Sequence, residues 1–263
     1  MSYVLVTNDD GIDSPALLPL LDALGGLGEL RAVVPDRERS WIGKAITRWE
    51  KLRVRRVGSG TPEIHTVDGF PADCAHLGIQ SLFDAPPRLV VSGINIGLNY
   101  GSAFFYSSGT VGAAIEAWIA GVPAVAFSIG TPGDDRTWKA QADGPQFAEH
   151  WRQAAALCST LVASCLRDGL PEGCDLLSVN FPVGAGPETP REVTRLADAC
   201  YTQLFRAEGD GIFAHDYRGA VVQRSGLEGT DVAAVAAGRV SITPIALGQD
   251  PALPRRVARQ LLG

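Results

Sequence analysis

Short apolar runs recur along the chain, each ending in polar residues and each parted from the next by a helical pattern: "YVLVT", "ELRAVVP", "RLVVSG", "PAVAFS" and "DLLSVNFP". Runs of this length without strict alternation fit strands buried on both faces. The segments between them, "ALLPLLDAL", "PADCAHLGIQSLF", "GTVGAAIEAWIAG" and the stretch from about Phe147 to Arg167, supply the covering helices. This order predicts an α/β protein with a mostly parallel sheet flanked by helices. Ser14 and Pro15 read as the N-cap and first residue of the first helix, and Pro19 as a weak point in its middle.

Past Pro182 the pattern changes. "GAGPETPREVTRLADACYTQLFR" opens like a linker, "GRVSITPIAL" is a strand candidate and "PALPRRVARQLL" a terminal helix candidate. The expected division is a core over residues 1–182 and a C-terminal extension over residues 183–263, an oligomerisation arm. Val240, Ile242 and Ile245 would give it extended contact surface, and Leu253 and Val257 a helix face.

A chain of 263 residues, 46% hydrophobic, can bury a sizeable core. Its formal charge of −6 argues against a broad nucleic-acid or acidic-membrane surface while leaving room for a local anion pocket. The basic run "KLRVRR" alternates with apolar residues and reads as a half-exposed strand. Five cysteines without a CxxC pair, beside four histidines, point to reduced thiols rather than a disulfide framework or structural zinc. The start lacks a signal-peptide pattern, and no apolar run nears the about 20 residues of a membrane span, so the expected location is the cytoplasm.

Open parallel sheets present ligands beyond the carboxyl ends of their strands, near a reversal of strand order. Three polar clusters fall at such ends, "TNDDG", "SGINIG" and "VNFP", and the loop "DRERSWIGKAIT" follows a fourth strand. Asp9 and Asp10 either cap the following turn through backbone amides or, with Ser40 and Asn95 from other crossovers, offer hard oxygen donors to Mg2+ or Mn2+. Ser107, Ser108 and Thr110 precede a helix whose free amides can hold an anion, although capping needs the same chemistry. Gly93, Gly97 and Gly101 permit close turns around Asn95 and Asn99, and no GxGxxG dinucleotide motif is present. Asp68 and Asp73 read as a turn and a helix cap, Asn180 as a turn residue, His65 and His76 as ordinary packing or surface, and Asp231 as the polar cap of a late helix.

Taken in order, "TNDDGIDSP", "PDRERS", "VDGFPADC", "VSGINIGLNYG", "YSSGTVGAA", "VNFP" and "GTDVAAVAAGRVSITP" resemble the SurE family of survival-protein nucleotidases over nearly the whole chain. The resemblance implies a Rossmann-like core and a divalent-metal-dependent phosphomonoesterase acting on nucleoside 5'- and 3'-monophosphates, with short polyphosphate as a further substrate. It implies one Mg2+ or Mn2+ per subunit on Asp9, Asp10, Ser40 and Asn95, with Asp9, Asp10 and Asn95 catalytic. Ser107, Ser108, Gly109 and Thr110 fall on the phosphate side and Asn99 on the substrate side, while Asn8 shapes the turn. The implied partners are nucleoside monophosphate, phosphate and further copies of the chain, as a homodimer or homotetramer, with no stable nucleic-acid partner and no membrane. Trp41 stands where the family usually has glycine and Phe70 where a small hydroxyl residue is familiar, and the stretch from Gly101 to Thr110 is about one residue longer than usual. Trp41 is then either a base-stacking platform or a hydrophobic anchor. The competing function is a noncatalytic, metal-dependent nucleotide-binding or sensing protein.

Overall fold

Strand β1 (Tyr3–Thr7) is buried at every position, so its alternate side chains must meet apolar partners on both sides. Val4 and Val6 face a layer made by Leu17, Leu20 and Leu24 of α1 (Leu17–Leu24) and Trp151, Ala155 and Cys158 of α5 (Ala148–Asp168). Tyr3 and Leu5 face the opposite layer, built on Cys74 and Ile79 of α2 (Pro71–Gln80) and Val111, Ala114 and Ala117 of α4 (Gly109–Ile119). Each fully buried leucine or valine contributes about 1.5–3 kcal/mol to this sandwich. The computed structural model describes residues 2–132, 142–216 and 221–248.

The main sheet has nine strands in the order β3 (Val54–Val57), β4 (Glu63–Val67), β2 (Glu29–Pro35), β1, β5 (Leu89–Ile96), β6 (Ala124–Ile129), β7 (Leu176–Phe181), β13 (Val240–Ile245) and β8 (Arg191–Val193). β2, β4, β5, β6 and β7 run parallel to β1. The chain winds outward from β1 through β2 to β4, then returns to place β5, β6 and β7 on the other side. Strand order therefore reverses between β1 and β5, and the carboxyl ends of that pair are where open sheets of this kind take ligands. The expected Rossmann-like sheet flanked by helices is the observed fold.

The basic run forms β3 (Val54–Val57), an antiparallel edge strand on β4 whose arginines are exposed, a charged edge of the kind that discourages further pairing. Helix α1 begins later than its sequence suggests. The Ser14 carbonyl accepts the Leu17 amide at 3.1 Å, so Ser14 and Pro15 lie in a preceding turn and Ala16 is the N-cap residue. Pro19 consequently sits in the first turn, where an amide has no intrahelical acceptor to lose.

Beyond residue 182 the sheet continues. β13 (Val240–Ile245) pairs antiparallel with β7 and parallel with β8 (Arg191–Val193). Val240 and Ile245 are buried in the sheet's own core, which corrects their expected place on a contact surface. β9 (Ala199–Tyr201) pairs with β12 (Val221–Gln223), β10 (Phe205–Gly209) and β11 (Ile212–His215) form an exposed hairpin, and α6 (Asp231–Ala236) leads into β13. Leu253 and Val257 lie outside the described residues. All five cysteines are free thiols, and burial pushes those of Cys74 and Cys158 well above their ordinary range. Among the described residues no helix is long and apolar enough to cross a membrane.

Candidate metal and phosphate site

The Asn8 carboxamide closes the turn after β1, its Nδ2 donating to the Gly11 carbonyl and its Oδ1 accepting the Gly11 amide, both at 3.0 Å. Locked in this way, the turn holds Asp9 and Asp10 at the carboxyl end of β1, both buried. Asp9 accepts the Thr110 hydroxyl on Oδ1 at 2.6 Å and the Thr110 amide on Oδ2 at 3.2 Å. Asp10 Oδ2 accepts the Ile96 amide at 3.1 Å. These donors lie 101 and 86 residues away in sequence, so neither carboxylate caps its own following turn in these contacts. Hydrogen bonds of this kind orient both carboxylates.

Asn95 is aimed by an irregularity in β5. The register with β6 shifts between Ser92 and Asn95, where Gly93 has φ +131° and any Cβ would stand 2.4 Å from the Phe127 carbonyl oxygen. A bulge that only glycine accommodates thus turns Asn95 at the strand end. Its Nδ2 donates to the Gly97 carbonyl at 2.7 Å, leaving Oδ1 as the ligand-type oxygen.

Ser40 rides on a loop fastened at four points. The Arg39 amide donates to the Asp9 carbonyl at 2.7 Å and the Gly43 amide to the Ser107 carbonyl at 2.8 Å. Lys44 pairs with buried Glu116 at 2.6 Å, and Thr47 donates its amide and hydroxyl to Asp73. The Ser40 hydroxyl itself is exposed and donates to Glu38 at 2.5 Å. Two buried carboxylates, a carboxamide oxygen and the hydroxyl of the adjoining loop are all oxygen donors, the type that could hold a hard divalent cation. No group of three or more His, Cys, Asp or Glu positioned for a metal occurs among the described residues, because only two of these four donors are of those types.

The start of α4 faces the acidic turn. Ser108 is its N-cap, with Oγ accepting the Val111 amide at 3.1 Å, and Gly109 packs against Asp9. Thr110 is fully buried and gives both donors to Asp9. The hydroxyl of Ser107 instead donates to carbonyls within α3 (Gly101–Ser107) and meets Tyr201 Oη at 2.5 Å. Asn99 is held from two strands, its amide donating to Asn180 Oδ1 and its Nδ2 to Ser128 Oγ, both at 2.8 Å.

Asp231 has more reach than a cap. Thr230 caps α6 by accepting the Ala233 amide, while Asp231 accepts the amides of Gly101 at 2.8 Å, Ala197 at 3.0 Å and Val232 at 2.9 Å. Burial pushes its carboxyl above the usual aspartate range, against the downward pull of those amides. It fixes the entry to α3, and nothing in the local sequence marks a partner 130 residues away. Asp73 does cap α2, accepting the Phe70 amide at 2.8 Å, and His65 and His76 pair with Glu63 and Glu116. Trp41 packs its ring 5.0–5.8 Å from those of Phe104, Tyr201 and His215, which ties the Ser40 loop to α3, β9 and β11.

The sequence model of the family described as Survival protein SurE matches residues 4–203. The chain belongs to the SurE family. A 5'-nucleotidase SurE from Methanocella arvoryzae is 39% identical over 252 residues, covering 94% of this chain and 93% of its own. One from Geobacter sulfurreducens is 38% identical over 254 residues, covering 93% and 87%. The crystal structure of SurE from Aquifex aeolicus superposes with a TM-score of 0.78 at 32% identity, over 99% of this chain and 100% of that one. Among SurE proteins, then, the likeness takes in the strands after Pro182 as well as the candidate site.

Proposed function

We propose that this SurE-family chain is a divalent-metal-dependent phosphomonoesterase that hydrolyses nucleoside 5'-monophosphates, and 3'-monophosphates and short polyphosphate more broadly, to release phosphate. The observation that carries the reading is the convergence of buried Asp9 and Asp10 with Asn95 at the strand-order reversal, beside the start of α4. Two adjacent carboxylates repel a phosphate dianion, so the pair makes chemical sense with a cation between them and the substrate.

Asp9, Asp10, Asn95 and Ser40 would hold one Mg2+ or Mn2+ per subunit. When bound, the cation neutralises the carboxylates, polarises the phosphoryl group and lowers the pKa of water. Ser40 would have to give up its bond to Glu38 to join the set. Asp9 is oriented by Thr110, so Thr110 acts through Asp9 rather than on phosphate. The Ser108 hydroxyl and the Gly109 amide, at the positive end of α4, receive the phosphoryl oxygens as charge shifts to them. One of the two aspartates orients the attacking water and takes its proton. Asn99, held by Asn180 and Ser128, would meet the substrate.

Residues 183–263 serve assembly into a homodimer or homotetramer in the cytoplasm. The β10–β11 hairpin supports this, since Phe205, Ile212 and Phe213 are more than half exposed on it. Solution mass over a concentration range tests the assembly, and a monomer throughout would reject it.

Phosphate release by purified protein from 5'- and 3'-nucleotides and tripolyphosphate, with Mg2+ or Mn2+ and with a chelator, tests the function. Release abolished by chelator and restored by metal is the expected result. Saturable nucleotide binding without release would establish the sensing alternative, and release indifferent to chelator would end the metal assignment.

A further inference from the structure

A cleft of about 500 Å³ opens beside the Ser40 loop, between the residues after β2, those leading into β3, and the turn before α2. Five cations and three carboxylates line it, an excess of positive charge in a chain whose net charge is −6. Two of the carboxylates are engaged: Asp36 lies 3.6 Å from Arg39 and 4.0 Å from Arg37, and Asp68 accepts the Arg53 amide at 2.7 Å. Glu50 is the third. Lys51, Arg53 and Arg55 form no ion pair among the described residues. They alternate with Leu52 and Val54, which pack on the core, so extended backbone puts all three charges on one face.

Arg39 closes the wall. Its side chain is only 16% exposed, its Nη2 donates to the Asp68 carbonyl at 3.0 Å, and its buried Nε has no acceptor among the described residues. A buried guanidinium N–H without a partner points to a missing acceptor. The Arg39 amide meanwhile donates to the Asp9 carbonyl, so cleft and acidic turn share one backbone wall.

We propose that this cleft binds a second phosphate group, one the enzyme does not hydrolyse, carried on the same substrate as the phosphate at the acidic turn. The fitting class is a nucleoside 3',5'-bisphosphate, because a cleft of about 500 Å³ exceeds a single phosphate and adjoins the acidic turn through Arg39, as a substrate carrying two anions on one sugar requires. The inference rests on the nucleotide phosphatase reading for the substrate, though not for the anion site itself.

The test uses the Arg53→Gln/Arg55→Gln double variant, checked for wild-type thermal unfolding since both side chains are solvent-facing. Metal-free wild type is titrated by calorimetry with inorganic pyrophosphate, and the variant should bind it about tenfold or more weakly, as expected for lost charge-assisted bonds. With metal, KM for a nucleoside 3',5'-bisphosphate should rise by a similar factor while KM for the 5'-monophosphate stays within about twofold. Unchanged pyrophosphate affinity overturns the site. Equal KM changes for both substrates reduce it to long-range steering, and weakened pyrophosphate binding with an unchanged bisphosphate KM refutes the substrate subsite. Should neither nucleotide be hydrolysed, the proposed function falls while the pyrophosphate titration still decides the cleft.

Discussion

Gly109→Ala sets two effects of known sign against each other. Gly109 opens α4 with a backbone conformation open to any L-residue, so on helix propensity alone alanine should stabilise by up to about 1 kcal/mol. Its Cβ, however, would stand 2.9 Å from Asp9 Cβ, 3.1 Å from Asp9 Oδ2 and 3.1 Å from Ile42 Cγ2. Asp9 Cβ is one bond from the backbone and cannot swing aside without moving the turn that Asn8 locks. Overpacking of this kind costs about 1–3 kcal/mol, which exceeds the propensity gain, so the expected net is a loss of about 1 kcal/mol. Relief by displacing Asp9 should harm catalysis more than folding, since a misplacement of about 1 Å can cost on the order of 100-fold in rate. Urea unfolding and turnover at saturating metal measure the two separately. A variant more stable than wild type with undiminished turnover would refute the placement of Asp9 against α4.

Thr110→Val keeps shape but removes the hydroxyl donor to Asp9, so metal-free stability should fall by about 2 kcal/mol and turnover at saturating metal by more than tenfold, read by urea unfolding and phosphate release. Asp231→Asn puts an amide donor among three backbone N–H groups, and should cost about 2 kcal/mol in unfolding free energy while lowering turnover through the loosened entry to α3. The Tyr3 phenol donates to the Gly78 carbonyl at 2.7 Å and burial pushes it up to about 12, from 10.0 in the open chain. Between those values the unfolded chain holds fewer protons, so stability, complete below pH 10, declines as pH rises toward 12. Tyr3→Phe should remove that alkaline slope and cost about 1 kcal/mol at neutral pH, as unfolding at several pH values would show.

The strands of the parallel core were legible because β1, β6 and β7 are buried on both faces, and a doubly buried strand has no choice but an unbroken apolar run. Polar residues at their ends marked the candidate site for the same reason, since nothing apolar waits beyond the sheet. The partners of β13 were not legible. An alternating segment reveals which face is buried, while its insertion between β7 and β8 depends on hydrogen bonds any sequence can make. Helix α3 was hidden because its start is set by Asp231, far along the chain, rather than by a local cap. Ser14 misled because a serine-proline pair suits a turn as well as a cap, and here the pair lies in the turn closed by the Leu17 amide on the Ser14 carbonyl, so the helix starts two residues further on. At the candidate site, residue types pointed to Asp9 and Asp10, yet only the fold distinguishes a Thr110 that orients a carboxylate from one that caps a helix.

Asp9→Asn and Asp10→Asn test the central claim most directly, because asparagine nearly preserves side-chain size and caps turns as well as aspartate while losing the charge a cation needs. Metal is titrated calorimetrically into each folded variant, and phosphate release from a nucleoside 5'-monophosphate is measured at saturating metal. The account predicts weakened metal binding in both and a severe loss of turnover, with added Mn2+ restoring activity only to the residue that serves affinity alone. Wild-type metal affinity and wild-type turnover in both variants would contradict it.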